Sequence, residues 1–202
     1  MVSILTEHLF AVHLKDYTKA EHASLEKKLI GMIKRIRTPQ QYIALLRMFY
    51  AYYHALELKM DQYLSIDNVP DIDERRKSAA ILQDIRFMGD TSPMEDHAVQ
   101  TPEIRSWPQA LGAAYVLEGS TLGGVIIARM ISGQLAIPAG EGFSFFNGYG
   151  DAVHQMWKKF HVYLNSVEGK DDQLLAADAA RQTFLTFSNW ADLYESNGVF
   201  KI

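Results

Sequence analysis

Cysteine is absent from all 202 residues of the sequence. This absence excludes disulfide bonds, thiolate metal sites and iron–sulfur clusters. The seven histidines are then the natural ligands for a transition metal. The first ten residues, MVSILTEHLF, also lack the basic and long apolar segments of a secretory signal. Because both absences are typical of a reducing compartment, we expect a cytoplasmic protein.

An excess of positive charge is missing as well. The chain has 20 Lys and Arg residues against 24 Asp and Glu residues, which gives a formal net charge of −4. We therefore expect neither nucleic acid nor an anionic membrane surface as a partner. The longest apolar segment, ALGAAYVLEGSTLGGVIIARMI, is interrupted by Glu118 and Arg129. It is too short and too interrupted for a membrane span.

Signals for β-strands are scarce, whereas apolar residues recur at helical spacing along most of the chain. Thr38-Pro39 is a typical helix start, and Gly89 ends a helix predicted over residues 72–88. The segment PAGEGFSFFNGYG at 138–150 is predicted to be an ordered loop, because its aromatic rings favour burial. With no repeat or linker, the sequence predicts an all-α fold in a single domain over residues 1–202. Other predicted helices cover residues 3–36, the segment after Pro39, about 151–167 and 171–195.

Three glycines lie close together in YVLEGSTLGG, inside the apolar segment: Gly119, Gly123 and Gly124. Each glycine in a helix interior costs about 1 kcal/mol relative to alanine. Either another backbone packs closely at this point, or a large flat ligand lies against the helix. The cluster also permits a kink, which would expose free backbone polar groups beside such a ligand. Both interpretations remain open at this stage.

His22 is a candidate ligand for a metal-bearing planar molecule such as haem. Glu26 follows it by one helical turn and is able to accept a hydrogen bond from its imidazole. Lys15, Thr18 and Lys19 precede it on nearly the same side of the helix. An ordinary surface helix with charge pairs would show the same pattern, so composition alone does not single out His22. A separate non-haem metal site would instead use His54, Glu57, Asp61 and Glu118.

Six blocks of the chain, in order, resemble the bacterial haem oxygenases, and most closely the type associated with bacterial phytochromes. The blocks are TKAEHASLE around His22, YIALLRMFYAYYHALE at 42–57, RRKSAAILQDIRFMG at 75–89, YVLEGSTLGG at 115–124, GFSFFNGYG at 142–150 and the Trp157-x-x-Phe160 step. The resemblance covers nearly the whole chain. It implies an all-helical fold with haem in a slot between a proximal helix and a kinked distal helix.

The resemblance also implies the chemistry. Haem is both cofactor and substrate, and is cleaved to biliverdin, carbon monoxide and ferrous iron with O2 and an external electron donor such as ferredoxin or a reductase. His22 matches the iron ligand of the family. Catalytic positions are the backbone and ordered water near Gly119, Ser120 and Gly123. The other positions expected to bind haem are Lys15, Thr18, Tyr115, Gly124, Phe146 and Lys158.

Two positions depart from patterns common in this family. Ser120 stands where many members have an aspartate that organises water, and Val125 follows Gly124 where related bacterial sequences often have glutamine. The main alternative function is a non-catalytic haem-binding or sensor protein of the same fold. A fold relative that binds a thiamine-related molecule or a non-haem metal, and a purely helical interaction protein, are further alternatives.

Overall fold

The structure of the protein, a computed structural model, describes residues 10–138, 140–196 and residue 198. Within these residues it consists of helices, turns and loops, and contains no β-strand. The prediction of an all-α fold is therefore confirmed. The α-helices are α1 (Phe10–Tyr17), α2 (Lys19–Ile33), α3 (Pro39–Met60), α4 (Ala79–Phe87), α5 (Trp107–Gly119), α6 (Thr121–Leu135), α7 (Ser144–Asn147), α8 (Val153–Asn165) and α9 (Lys170–Ser196).

Helices α3, α5 and α9 form the centre of the core. A Cβ atom on Gly112 of α5 would lie only 2.0 Å from the carbonyl oxygen of Ala176 in α9, so glycine allows these two helices to approach closely. The indole N–H of Trp190 in α9 donates to the Met48 carbonyl of α3 over 2.9 Å. Such bonds satisfy polar atoms that burial in the core removes from water.

Helices α5 and α6 together, Trp107–Leu135, are long and apolar enough to cross a membrane by length and composition alone. However, 61% of their most apolar window is buried inside the protein. Packing against the other helices therefore accounts for the apolar character of this segment.

The predicted start of α3 is confirmed. Thr38 precedes Pro39, accepts a hydrogen bond from the backbone of Gln41 and receives the reciprocal contact of a capping box. In contrast, the helix predicted over 72–88 is wrong in its first half, because α4 begins at Ala79. Residues 72–74 form a single 3₁₀ turn and Arg75 is extended.

The first predicted helix, 3–36, is divided at Thr18 into α1 and α2, and its residues 3–9 lie outside the described residues. The Thr18 hydroxyl donates to the Leu14 carbonyl over 2.8 Å. This kind of bond between a side chain and its own helix competes with the backbone ladder and bends the helix.

The segment 138–150 is ordered in its described residues, as predicted. Its aromatic rings enter the core, with Phe143, Phe145 and Phe146 almost fully buried. The carboxylate of Asp84 accepts hydrogen bonds from the backbone N–H groups of Ser144 (2.7 Å) and Phe145 (2.8 Å). These bonds satisfy the first turn of α7 and fix it against α4.

Candidate functional site

Two polar contacts fasten α2 to α9 on either side of His22. Arg181 of α9 donates to the Glu21 carboxylate over 2.7 Å, which lowers the pKa of Glu21. Farther along α2, the Lys28 ammonium donates to the hydroxyl of Ser188 and pairs with Asp192. Because these contacts flank His22, the position of its backbone is fixed on the core.

The His22 side chain is exposed, and its ring lies 5.3 Å from the ring of Phe184 in α9. In the part of the chain that the structure describes, no hydrogen bond joins His22 to Glu26, the partner suggested by sequence. The imidazole is therefore supported on one side by an aromatic ring and is open to solvent on another.

Helix α2 and the α5–α6 pair meet at two places. At the first, Thr18, the residue before α2, lies near Tyr115 of α5 and partly offsets the rise that burial causes in the pKa of the Tyr115 hydroxyl. At the second, the Gln134 side chain donates to the carbonyls of Ile33 and Lys34, over 3.2 Å each. The two elements therefore run side by side in the same direction.

The paths between these two places differ in length. Ile33 follows Thr18 by 15 residues, whereas Gln134 follows Tyr115 by 19 residues. At 1.5 Å per helical residue, the α5–α6 path is longer by about 6 Å. The break between Gly119 and Thr121 lies in this stretch.

His22 and Gly123 both lie between the two contacts, on α2 and α6 respectively. Each precedes the Ile33–Gln134 contact by 11 residues, about 17 Å along its helix. A Cβ atom on Gly123 would meet no atom within 4 Å. We call the space between α2 and the α5–α6 pair, from Thr18–Tyr115 to Ile33–Gln134, the slot.

The three glycines of YVLEGSTLGG have three different environments. Gly123 borders open space. A Cβ on Gly119 would lie 3.4 Å from the indole of Trp157 in α8, an ordinary packing contact. A Cβ on Gly124 would lie 2.0 Å from the Phe146 carbonyl oxygen, so this glycine allows α6 and α7 to pack backbone to backbone. Packing thus explains Gly124, while the open space at Gly123 fits a ligand.

Aromatic side chains of α8 lie near Gly119. The ring of Trp157 lies 5.6 Å from that of Tyr115 and 4.5 Å from that of His161, whose pKa is lowered by burial. Lys15 of α1 and Lys158 of α8 are exposed. Lys158 directly follows Trp157 in the sequence and adds an exposed positive charge to the same helix.

Ser120 lies at the break between α5 and α6, and its hydroxyl is saturated with hydrogen bonds. It donates to the Leu117 carbonyl over 2.7 Å and accepts from Arg76 over 2.8 Å and from the Tyr53 hydroxyl over 3.1 Å. A serine hydroxyl offers one donor and two acceptor sites. It therefore has no hydrogen left to donate to a ligand unless one of these bonds breaks.

The structure brings some predicted residues to the slot and places others elsewhere. Thr18 and Tyr115 mark one end of it, and His22 and Gly123 lie on the two elements between which it is defined. The ring of Phe146 instead enters the core, where it stacks against Tyr42 at 6.5 Å. Its backbone carbonyl packs against Gly124 of α6.

The residues around the slot fit a haem group. An exposed imidazole is available on α2, and Gly123 of α6 leaves open space where a side chain would otherwise lie. The non-haem metal alternative fits less well. Within residues 10–138, 140–196 and 198, no three metal-ligating side chains cluster together. The Glu57 carboxylate is bound by Ser78, and that of Glu118 by Arg75.

Sequence reasoning missed three residues beneath the break. Arg76 and Tyr53 bind the Ser120 hydroxyl, and Arg75 forms a buried ion pair with Glu118 over 2.8 Å. The available signal was the pair Arg75-Arg76 directly before an apolar helix. The sequence predicts a helix over residues 72–88, and two adjacent arginines in such a helix look like ordinary exposed charges.

The fold defines a class of helical proteins in which a histidine-bearing helix lies beside a broken, glycine-bearing one. Residues 8–192 match the family model described as Heme oxygenase. The chain therefore belongs to the haem oxygenase family, and the predicted family is confirmed.

Solved structures share this fold at low sequence identity. The heme oxygenase of Leptospira interrogans is 20% identical, with a TM-score of 0.74 over 92% of this chain and 99% of that one. The NO- and CO-bound heme oxygenase of Neisseria meningitidis is 21% identical, with a TM-score of 0.74 over 94% and 93%. Heme oxygenase-1 of Synechocystis sp. PCC6803, in complex with heme, is 17% identical, with a TM-score of 0.72 over 94% and 93%. No curated protein matches the sequence.

Proposed function

We propose that this protein binds haem in the slot and cleaves it to biliverdin, carbon monoxide and ferrous iron, using O2 and an external electron donor. Membership of the haem oxygenase family supports the reaction class. The observation that carries the assignment to the slot is that α2 presents an exposed imidazole at His22, while a Cβ on Gly123 of α6 would meet no atom within 4 Å. The electron donor is proposed to be a ferredoxin or a reductase.

His22 is the proposed iron ligand. A neutral imidazole offers one nitrogen lone pair to a metal, and the anchors at Glu21 and Lys28 hold this ring on the α2 side of the slot. Lys15 and Lys158 carry exposed positive charges suited to the carboxylates of a haem edge, and Thr18 adds a hydroxyl nearby. Bound haem would supply both the iron that activates O2 and the ring that is opened.

The distal wall contributes space and backbone polarity. At Gly123 no side chain blocks the approach of a flat ligand, and the break at Ser120 interrupts the regular helix beside it. Backbone N–H groups at such a break are able to donate to a ligand or to ordered water. Gly119, Ser120 and Gly123 are therefore the proposed catalytic positions. The protein's part is to orient the reactants and to place water.

A hemin titration tests the site. The purified protein should develop a Soret band with one equivalent of hemin, and His22→Ala should weaken or shift that band. His54→Ala is the matched control, because His54 is also an exposed helical histidine but lies on α3, stacked on Tyr50. If His22→Ala binds hemin as the unchanged protein does, the ligand assignment is wrong.

Turnover separates the enzyme from a non-catalytic haem-binding protein of the same fold. Ascorbate, or ferredoxin with its reductase, should convert the Soret band in air into the broad red absorption of a bilin. Extraction and chromatography of the product then identify the isomer. A stable complex that forms no bilin would favour the non-catalytic alternative.

We also propose that the protein belongs to the type associated with bacterial phytochromes. The support for this narrower assignment is the order of the six sequence blocks, such as RRKSAAILQDIRFMG at 75–89. Mixing the reaction product with a phytochrome apoprotein should yield a red-absorbing photoreceptor. A product that the apoprotein does not take up would contradict this proposal.

A further inference from the structure

We propose that Arg76 is a positioning residue that orients the Ser120 hydroxyl and holds the break between α5 and α6 in place. This inference rests on the proposed function in one respect, namely that the break forms the distal wall of the haem slot. It assigns to Arg76 a role in shaping the site rather than contact with the reacting atoms.

The first argument is the way in which the guanidinium binds the break. One nitrogen, Nη2, donates both to the Leu117 carbonyl over 2.6 Å and to the Ser120 hydroxyl over 2.8 Å. The hydroxyl itself donates to the same carbonyl. Arg76, Ser120 and Leu117 thus form a closed triangle of hydrogen bonds around the point where the regular helix is interrupted.

The second argument is that Arg76 is held rigidly. Its guanidinium carbon lies 4.3 Å from the centre of the Phe145 ring and 5.4 Å from that of Tyr53, both typical of cation–π contacts. Its backbone N–H donates to the Tyr149 hydroxyl over 2.8 Å. Since Tyr53 also donates to Ser120, two fixed donors determine where the lone pairs and the hydrogen of that hydroxyl point.

The third argument is the different role of its neighbour. Arg75 is almost fully buried and binds Asp71, Glu118 and the Met156 carbonyl, which joins α5 to α8. That network supports the fold, whereas the Ser120 hydroxyl accepts its hydrogen bonds from Arg76 and Tyr53. Arg76 is only half-buried and binds the break itself. The structural task and the positioning task therefore fall to separate arginines.

Two measurements test the proposal. In the protein without haem, amide hydrogen exchange at Ser120 and Thr121 should accelerate at least about tenfold in Arg76→Gln, the change that loss of a hydrogen bond to a charged group produces. In the haem-loaded protein, the C–O stretching frequency of the carbon monoxide complex should shift in Arg76→Gln. Arg76→Lys should reverse part of both changes, because the charge remains while the planar fork is lost.

A double-mutant cycle shows whether Arg76 acts through Ser120. In the Ser120→Ala background, Arg76→Gln should produce little further shift in the C–O stretch. Lys77→Gln is the matched control. Lys77 is the next residue in the sequence, and its substitution removes the same charge, but from a surface ion pair with Asp61. It should leave the exchange rates and the stretch unchanged.

The outcomes separate this proposal from the proposed function. Unchanged exchange at Ser120 and Thr121 in Arg76→Gln would overturn the positioning role, whether or not haem binds. Additive shifts in the cycle, or an equal shift in Lys77→Gln, would show a general charge effect and would also overturn it. Failure of the unchanged protein to bind hemin would instead overturn the proposed function, while the exchange experiment would still decide the role of Arg76.

Discussion

Replacing Gly123 with alanine should stabilise the haem-free protein and weaken its affinity for haem. The two effects have opposite signs because they depend on different properties of one position. In the haem-free protein, a Cβ atom at Gly123 would meet no atom within 4 Å. The methyl group therefore causes no clash there, and the lower backbone entropy of alanine in the unfolded chain favours folding.

The size of the first effect follows from helix propensity. Gly123 is the third residue of α6, and alanine exceeds glycine inside a helix by about 0.5–1 kcal/mol. For a protein of this size, such a gain raises the Tm by about 1–4 °C. The second effect arises because the methyl group extends into the proposed slot. Overfilling a packed site costs about 1–3 kcal/mol, or about 5- to 150-fold in affinity.

The matched control is Gly133→Ala in the same helix. Gly133 is the third residue from the other end of α6, is exposed, and would also place its Cβ in open space. Both variants should show the same increase in Tm by calorimetry. Only Gly123→Ala should lower the affinity in a hemin titration. Equal hemin affinities for the two variants would show that Gly123 does not face the bound ligand.

Two further predictions concern the support behind the slot. Gly124→Ala should destabilise the protein by about 3 kcal/mol or prevent folding, because the Cβ of the alanine would lie 2.0 Å from the Phe146 carbonyl oxygen. A chemical denaturation curve like that of the unchanged protein would refute the packing role. Asp84→Asn tests the cap on α7, whose N–H groups at Ser144 and Phe145 both donate to this carboxylate. Burial raises the pKa of Asp84 above its ordinary value of 3.8, so the stability that this shift contributes is present below pH 3.8 and is lost as the pH rises through the folded pKa. The free energy of unfolding of the unchanged protein, relative to that of Asp84→Asn, should therefore decrease as the pH rises from about 4 toward 7. Urea denaturation of both proteins at several pH values measures this difference. A difference that does not change with pH would contradict the reasoning.

Features that depend on neighbouring residues could be predicted from the sequence. The start of α3 needs only Thr38, Pro39 and Gln41, whose capping contacts span four residues. The end of α4 needs only Gly89, which adopts a positive φ of 86°. The burial of the phenylalanines in 142–150 follows from their apolar surface. For the same reason, helical spacing was sufficient to predict an all-α fold.

Features that depend on distant residues could not be predicted in this way. The segment before α4 leaves the helical conformation while the Arg75 side chain binds Glu118, 43 residues away. Nothing local distinguishes His22 from the other histidines. Its position depends on anchors such as Arg181 to Glu21, which join residues 160 positions apart.

The glycines of YVLEGSTLGG show this division most clearly. The sequence determined that three glycines stand close together within an apolar helical segment, and that such a cluster permits a break in the helix. Only the tertiary structure decided that Gly124 packs against the backbone at Phe146 while Gly123 borders open space. The physical reason is that helix formation is governed by hydrogen bonds between residues four positions apart, whereas the space beside a residue is determined by whichever distant elements the core brings against it.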